Sequence, residues 1–150
     1  MNVPPRSADQ IEPAGQPWYA SGLNFQCTLC GNCCTGQPGH VWVDETEIRQ
    51  IADHLGCSVG EIRLLHTRLA QGRTSLTEYA NGDCTFFDPQ TRRCRVYAAR
   101  PTQCRTWPFW RSNLAGPETW EATQRVCPGS TCGEFVPLET IERLAGESPL

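Results

Sequence analysis

The apolar positions have the period of an α-helix in the first regular stretch of the chain. Four of them recur at i, i+3, i+4 and i+7, which places them on one helix face: Ile48, Ile51, Ala52 and Leu55. Asp44 and Glu47 precede the stripe with the spacing of a capping box, and Gly56 follows it. Because glycine readily takes the left-handed conformation that ends a helix, the pattern predicts a helix from Asp44 to Gly56.

A second apolar stripe follows after a three-residue connection. Ser58 and Glu61 again have the spacing of a capping box, and Gly72 marks the far end. The apolar members of this stripe are Ile62, Leu65 and Leu69. The two stripes predict a packed helical hairpin. A DNA-binding helix-turn-helix is the alternative, and the acidic balance of the chain disfavours it.

Short β-like runs alternate with turn compositions downstream of the hairpin. Between residues 74 and 97, SLTEY, CTFFD and CRVY are separated by ANGD and PQTRR, which predicts short antiparallel strands. HVWVD (40–44) and TWEATQRV (119–126) predict two further strands. RPTQCRTW predicts about two helical turns beginning at Pro101. PLETIERLAG predicts a C-terminal helix that ends just before Gly146.

The supply of apolar side chains is small for this length. Leu, Ile, Val and Phe total 28 of 150 residues, slightly below the ~20% that is usual for globular cores. Since the net charge is only −3, we expect a fold that depends on metal or cross-links rather than disorder. The predicted fold is a small, irregular, metal-stabilised α+β domain over residues 23–150, with a helical hairpin, short antiparallel strands and a C-terminal helix. Residues 1–22 hold four prolines, which predicts a flexible lead-in.

Ten cysteines are the main chemical feature of the composition. The first 22 residues contain no apolar core of a secretory signal, and no run of the chain is apolar enough for a membrane span. We therefore expect a cytoplasmic protein, where thiols stay reduced and dense cysteines favour metal binding over disulfides or redox chemistry. All thirteen basic residues are arginine, so Schiff-base chemistry on lysine is excluded. The acidic balance predicts no nucleic-acid partner, whereas a protein partner is compatible with it.

The segment FQCTLCGNCC holds the densest cluster of thiols. Cys27, Cys30 and Cys33 have the C-x-x-C-x-x-C spacing that bacterial ferredoxins use for three ligands of an iron–sulfur cluster. Zinc is equally compatible with this spacing, because C-x-x-C knuckles supply two of its four ligands. Neighbouring side chains in extended backbone point to opposite sides, so Cys34 predicts either a second ion or a polynuclear cluster.

Four later cysteines complete a candidate ligand set. Cys84, Cys94 and Cys104 follow one another at intervals of ten residues, on either side of the predicted hairpin and at the start of the next helix. Cys127 precedes a proline, as a ferredoxin ligand does. The eight candidate metal ligands are Cys27, Cys30, Cys33, Cys34, Cys84, Cys94, Cys104 and Cys127, enough for two four-coordinate ions or one larger cluster.

The remaining candidates have simpler interpretations. We expect Cys57 to fill space in the helix-hairpin turn, and Cys132 lies outside the main set. His66 falls on an apolar stripe, where a buried hydrogen-bonded histidine is the usual finding, and His40 is a weaker candidate ligand. In RPTQCRTWPFW (100–110) we expect the aromatic residues to cover the metal and fill the core, and Arg100 and Arg105 to offset thiolate charge.

These motifs together resemble one known family. FQCTLCGNCC, CTFFD, CRVYAARPTQCRTWPF and CPG, spread over residues 25 to 129, are similar to the CxxCxxCC zinc- or iron-chelating domain, also called the YkgJ-type cysteine-cluster proteins. The resemblance implies the same eight cysteine ligands, with Cys57 and Cys132 outside the set. A similar motif occurs in the larger flagellin lysine methylases, whose additional length this chain does not have.

The functional expectation is a metal-binding protein. Its cofactor is zinc or iron, the latter including an iron–sulfur cluster, and the sequence indicates no catalytic acid, base or nucleophile beside the cysteines. Two alternatives stay open. One is an iron–sulfur oxidoreductase or methyl-transfer accessory enzyme that uses the cluster as its active site, and the other is a disulfide-stapled structural protein.

Overall fold

The computed structural model describes residues 15–150. Within them the chain forms five α-helices and three two-stranded antiparallel sheets, which confirms the predicted α+β class. The helices are α1 (Glu45–Leu55), α2 (Val59–His66), α3 (Thr102–Thr106), α4 (Pro117–Val126) and α5 (Leu138–Glu147). The strands are β1 (Leu23–Asn24), β2 (Thr67–Ala70), β3 (Arg73–Leu76), β4 (Phe87–Asp88), β5 (Arg93–Cys94) and β6 (Phe135–Val136).

Both predicted capping boxes are present in the helical hairpin. The Asp44 carboxylate accepts from the Glu47 backbone N–H over 2.8 Å, and the Glu47 side chain accepts from the Asp44 N–H over 2.9 Å. Ser58 and Glu61 repeat this reciprocal arrangement at the start of α2. Gly56 ends α1 with φ at 69°, in the left-handed region. The hairpin is therefore fixed by local hydrogen bonds at each helix start.

The second helix is shorter than its apolar stripe predicts, and this prediction was wrong beyond His66. The chain turns into β2 at Thr67, and β2 pairs with β3 across a turn at Gln71 and Gly72, both of which have positive φ. Leu65 and Leu69 are 62% and 78% exposed. The pairing of β2 with β3 therefore ends the helix at His66, although the apolar spacing of the sequence continues to Leu69.

Three other local predictions need correction. The segment predicted as a strand at 119–126 lies in helix α4, where Pro117 occupies the first turn and Trp120 and Thr123 face inward at i, i+3 spacing. HVWVD forms only an isolated bridge between Trp42 and Ser75. Gly146 lies inside α5 rather than past its end.

The core is divided into two apolar clusters. The first cluster lies around the helical hairpin: Val43, Ile48, Ile51, Ala52, Ile62, Leu76, Phe86 and Val96. The second cluster lies around α4 and α5: Tyr19, Phe109, Leu114, Trp120, Ile141 and Ala145. Packing thus begins upstream of residue 23, since Tyr19 is buried and donates to the Glu142 carboxylate over 2.6 Å. The flexible lead-in was predicted for residues 1–22, and residues 1–14 of it fall outside the described residues.

Candidate metal centre

The first cysteine segment is held by the chain on both sides. On one side, the backbone N–H groups of Phe25 and Gln26 donate to Glu134 and Gly129 over 2.9 and 3.0 Å. On the other side, the Cys84 N–H donates to the Cys34 carbonyl over 2.8 Å. The segment therefore lies between the late chain and the residues that precede β4.

Gly31 permits a close approach within this segment. Its φ is 77°, and a Cβ atom there would lie 2.5 Å from the Arg92 carbonyl oxygen and 2.8 Å from the Phe87 ring. Any larger residue would push the cysteine segment away from the turn between β4 and β5. Glycine at this position therefore brings the first cysteines next to the strand that holds Cys94.

Most of the predicted ligands surround one cavity of about 270 Å³. Six of the eight line it: Cys27, Cys33, Cys34, Cys84, Cys94 and Cys104. They come from four separate segments of the chain, so the fold rather than local spacing brings them together. Cys30 and Cys127 do not line the cavity, and neither do Cys57 and Cys132. The participation of all eight residues in one centre stays a prediction.

Three of the cavity thiols are in hydrogen-bond contact. Cys34 is in contact with both Cys33 and Cys94, its one S–H proton can be donated to either sulfur in turn, and this contact lowers the pKa of Cys33 and of Cys94 to about 7. The same two contacts, together with burial, raise the pKa of Cys34. The arrangement holds two thiols close to ionisation at neutral pH and keeps the proton on the third. A metal that binds the Cys34 sulfur has to displace that proton.

The two remaining inner thiols are protonated at neutral pH by burial. Desolvation raises the pKa of Cys84 to about 11, and it raises the pKa of Cys104 as well, because burial disfavours the charged thiolate. A bound metal cation would supply positive charge that stabilises the thiolate form of these two buried sulfurs. Both thiols are therefore suited to metal ligation and unsuited to act as free nucleophiles.

Backbone N–H groups point at several of the sulfurs. The Leu29 N–H lies 3.4 Å from the Cys27 sulfur, and the Asn32 N–H lies 3.5 Å from the Cys30 sulfur. Hydrogen bonds from Phe86 and Val96 reach Cys84 and Cys94 in the same way, two residues along the chain. These N–H groups stabilise thiolate charge and orient the sulfur. The repeated geometry includes Cys30, although that residue lies outside the cavity.

Cys30 and Cys127 are connected through Asn32. The Asn32 amide donates to the carbonyl of Val126, the residue before Cys127, over 3.0 Å, and Asn32 itself follows Cys30 by two residues. Cys127 is buried, at 8% exposure. The segments that hold these two cysteines are thus joined by a side-chain hydrogen bond, although neither cysteine lines the cavity.

The predicted arginine and aromatic patch divides in two. Arg100 lines the cavity, its guanidinium lies 3.8 Å from the centre of the Tyr97 ring, and its charge helps to lower the pKa of Cys33 and Cys94. Arg105 does not line the cavity and instead donates to the Thr102 hydroxyl over 2.9 Å. The expected charge compensation is therefore seen at Arg100 and not at Arg105.

The aromatic residues of the same patch also separate. Trp107 and Trp110 form part of the cavity wall, whereas Phe109 is buried in the second cluster. Sequence reasoning missed Tyr97, whose hydroxyl is hydrogen-bonded to Cys27 and whose pKa is raised mainly by that contact. Its only sequence signal was its place in the segment CRVYAARPTQCRTWPF, which does not indicate a contact with Cys27. The weaker candidate His40 lies away from the cavity, stacked on the Trp42 ring.

The donor set fits a metal by its chemistry. Thiolates are the ligands that zinc and iron–sulfur clusters prefer, and six of them share one cavity with an arginine that offsets their charge. No three Cys, His, Asp or Glu side chains within residues 15–150 converge on one ion-sized position.

The comparison with known families agrees with this donor set. The model of the CxxCxxCC family, described as a "putative zinc- or iron-chelating domain", matches residues 26–132. The chain belongs to this family. The matched range includes all eight predicted ligands, together with Cys57 and Cys132. As a CxxCxxCC protein, the chain contains a domain of the zinc- or iron-chelating type.

One relative of this CxxCxxCC chain is an uncharacterized protein of Methanocaldococcus jannaschii. The two are 29% identical over 91 residues, which is 61% of this chain and 48% of the relative. The aligned part thus spans about half the length of that relative. No solved structure matches the chain. Within residues 15–150, no helix combines the length and the apolar character that a membrane crossing needs.

Proposed function

We propose that the protein binds zinc or iron in a polynuclear thiolate centre, and that this centre stabilises the fold. The observation that supports it is the shared cavity, in which six predicted ligands from four segments meet. A single tetrahedral ion uses four thiolates. Six thiols around one space exceed that number, which favours more than one metal atom.

The roles within the proposed centre follow from the contacts. Cys34 is in contact with both Cys33 and Cys94, so these three sulfurs would hold the metal at the middle of the centre. Cys84 and Cys104 are the inner ligands, and Cys27 is the outer one beside Tyr97. Cys30 and Cys127 complete the set of eight, although they do not line the cavity. The hydrogen bond from the Asn32 side chain to the Val126 carbonyl holds their two segments together.

The chemistry of the centre is cross-linking rather than catalysis. When bound, the metal supplies several strong bonds between segments that are distant in sequence, and structural zinc sites contribute on the order of 10–16 kcal/mol in this way. Apart from the thiols, the cavity is lined by apolar and aromatic side chains and arginines. We therefore assign its residues to metal binding and propose no catalytic acid or base among them.

The same chemistry suggests where the protein works. All ten cysteines are free thiols in the structure. Free thiols persist in a reducing compartment. We accordingly infer a cytoplasmic location, in which the metal rather than disulfides provides the cross-links.

The test is the metal content of the protein purified without oxygen. We expect at least two metal atoms per chain, either colourless zinc or iron with inorganic sulfide and a broad brown absorption. Cys84→Ser and Cys104→Ser should each reduce the content, whereas Cys57→Ser, which lies outside the cavity, should leave it unchanged. A chain that is folded and metal-free, or that loses no metal in the Cys84 and Cys104 variants, would show the proposal to be wrong.

A further inference from the structure

Two of the six thiols that line the cavity are exposed to solvent. They are Cys27 and Cys33, whereas the other four are partly buried. The sulfur of a thiolate is a nucleophile, and an exposed one can be reached by electrophiles from solution. These two thiols are therefore the points at which a reagent can attack the proposed metal centre.

The two exposed thiols have different partners. Cys33 is in contact with another thiol, that of Cys34. The Cys27 sulfur instead accepts from two groups outside the cysteine set: the Leu29 N–H lies 3.4 Å from it, and the Tyr97 hydroxyl is hydrogen-bonded to it. A phenol keeps its proton at neutral pH, so Tyr97 is the donor. Tyr97 is thus a partner of Cys27, while Cys33 has its own partner within the cluster.

Arg100 fixes the position of Tyr97. Its guanidinium lies 3.8 Å from the centre of the Tyr97 ring, and its Nε donates to the Tyr97 carbonyl over 2.9 Å. Tyr97 begins a short 3₁₀ turn, and the residue before it, Val96, is buried in the first apolar cluster. Since both the ring and the backbone of Tyr97 are held, the hydroxyl is presented to Cys27 without further ordering of the side chain.

The cysteine side of the contact is also fixed by the backbone. Leu29 lies between Cys27 and Cys30 and has a φ of 58°, in the left-handed region that residues with a side chain rarely adopt. Such a conformation persists where the surrounding structure enforces it, and it is frequent at ligand sites. In this conformation the Leu29 N–H reaches the Cys27 sulfur. Both sides of the contact between Tyr97 and Cys27 are therefore preset.

We propose that Tyr97 is a positioning residue of the metal centre, whose hydroxyl fixes the exposed Cys27 ligand and shields its sulfur from electrophiles. The inference rests on the proposed function, since it takes Cys27 as a metal ligand. Hydrogen bonds to a ligating sulfur orient it and draw charge from it. A lone pair that accepts from Tyr97 is less available for attack on a reagent. Tyr97 therefore slows the modification of Cys27 and, with it, the release of metal.

The experiment is timed alkylation of the metal-loaded protein with iodoacetamide, in which peptide mass spectrometry gives the initial rate at each cysteine. The sulfur forms a bond to the reagent carbon, iodide leaves, and the bond from sulfur to metal breaks. We expect Tyr97→Phe, which removes only the hydroxyl, to speed the reaction of Cys27 about fivefold, the size of one ordinary hydrogen bond, and to leave Cys33 unchanged. Tyr79→Phe is the matched control, because Tyr79 is exposed, donates to the Thr85 carbonyl over 3.4 Å and does not line the cavity.

A double-mutant cycle tests whether Tyr97 acts through Cys27. Its readout is the rate at which a chelator removes metal. Tyr97→Phe should speed this removal in the otherwise wild-type protein and add nothing in a Cys27→Ala background, where the hydroxyl has no sulfur to donate to. A merely structural role predicts an equal effect in both backgrounds, and that result would overturn the proposal.

Metal content is measured on every sample, so the two proposals fail separately. If the loaded Tyr97→Phe protein reacts at Cys27 as the wild type does, or reacts faster at Cys27 and Cys33 alike, the role of Tyr97 is wrong and the metal proposal stands. An increase at Cys27 of the same size in Tyr79→Phe has the same meaning. A wild-type protein that holds no metal overturns the proposed function, and the role of Tyr97 with it.

Discussion

The Arg92 guanidinium donates to the side-chain oxygen of Asn32 over 2.8 Å, across 60 residues of sequence. The same guanidinium donates from Nε to the Cys30 carbonyl over 3.2 Å, and the Asn32 amide donates to Val126 over 3.0 Å. One asparagine thus joins the turn between β4 and β5, the first cysteine segment and the end of α4. These three places hold or adjoin Cys94, Cys30 and Cys127.

Replacing Asn32 should loosen this junction. Asn32→Ala removes two side-chain hydrogen bonds, and we expect the metal-loaded protein to lose about 1–3 kcal/mol of unfolding free energy. It should also release metal faster to a chelator. Denaturant unfolding and the rate of chelator-driven metal loss measure the two effects. Gln37→Ala is the control, since Gln37 is exposed near the same segment. Equal behaviour of the two variants would contradict the role of Asn32.

The cysteines should divide into two groups by their effect on stability. Serine at Cys27, Cys30 or Cys33 removes a proposed ligand, and we expect each change to cost about 3 kcal/mol or more, at the upper end of single-residue effects. Cys57→Ser should cost about 1 kcal/mol, because Cys57 is only partly buried against the first cluster. Thermal unfolding of the metal-loaded variants distinguishes the groups. The hypothesis would be falsified if all four variants melted together.

Metal affinity should rise steeply with pH. Burial raises the pKa of Cys84 to about 11 and raises that of Cys104 too, and the contacts with Cys33 and Cys94 raise that of Cys34. These thiols hold protons in the metal-free protein at neutral pH, and binding as thiolates releases them. For each proton released on binding, the apparent zinc affinity rises tenfold per pH unit. With two or more protons released, it should increase by about a hundredfold or more per pH unit between pH 7 and 9.

Competition with a chelator of known proton affinity measures this slope. Proton release can also be counted directly, by titrating zinc into the metal-free protein in a weakly buffered indicator solution. A slope near zero would mean that the bound thiols were already ionised, which contradicts the burial of Cys84 and Cys104.

Arg100 should matter for metal binding and Arg105 should not. The Arg100 charge helps to lower the pKa of Cys33 and Cys94, so Arg100→Gln raises both pKa values and favours their protonated forms. We expect up to about fivefold weaker zinc binding at pH 7, the size of a partly exposed charge interaction. The difference should shrink above pH 9, where both thiols ionise in either protein. Arg105→Gln is the matched control, and a loss of equal size there would show a general effect of positive charge.

The elements that could be predicted from the sequence are those fixed by near neighbours. Asp44 with Glu47, and Ser58 with Glu61, form their capping boxes within four residues, so the sequence shows both partners at once. The end of α2 and the state of residues 119–126 depend on more distant partners. β2 is held by β3, and α4 buries Trp120 in the second cluster. The residue types of 119–126 suggested a strand. Pro117 in the first turn and the i, i+3 spacing of Trp120 and Thr123 were the better indication, because they fit the helix.

The same distinction applies to the candidate site. The residue type and spacing of the cysteines indicated metal chemistry, and the structure brings six of them to one cavity. The contacts of Tyr97 with Cys27 and of Arg92 with Asn32 span 70 and 60 residues, so no local pattern could predict them. Arg100 and Arg105 are equally basic in the sequence, and only the fold places Arg100 at the cavity and Arg105 on the Thr102 hydroxyl.

The divided core has a consequence for the life of the protein in a cell. Cys84 and Cys94 pack against the first cluster, whereas α3, which holds Cys104, contacts α5 and so adjoins the second. Metal bound between them would join the two clusters and so favour the folded state. Since a ligand that binds only the folded state lowers the unfolded fraction, and proteases remove unfolded chains, metal supply would set the half-life of the protein. The amount of protein present would then follow the amount of metal available, without any change in its synthesis.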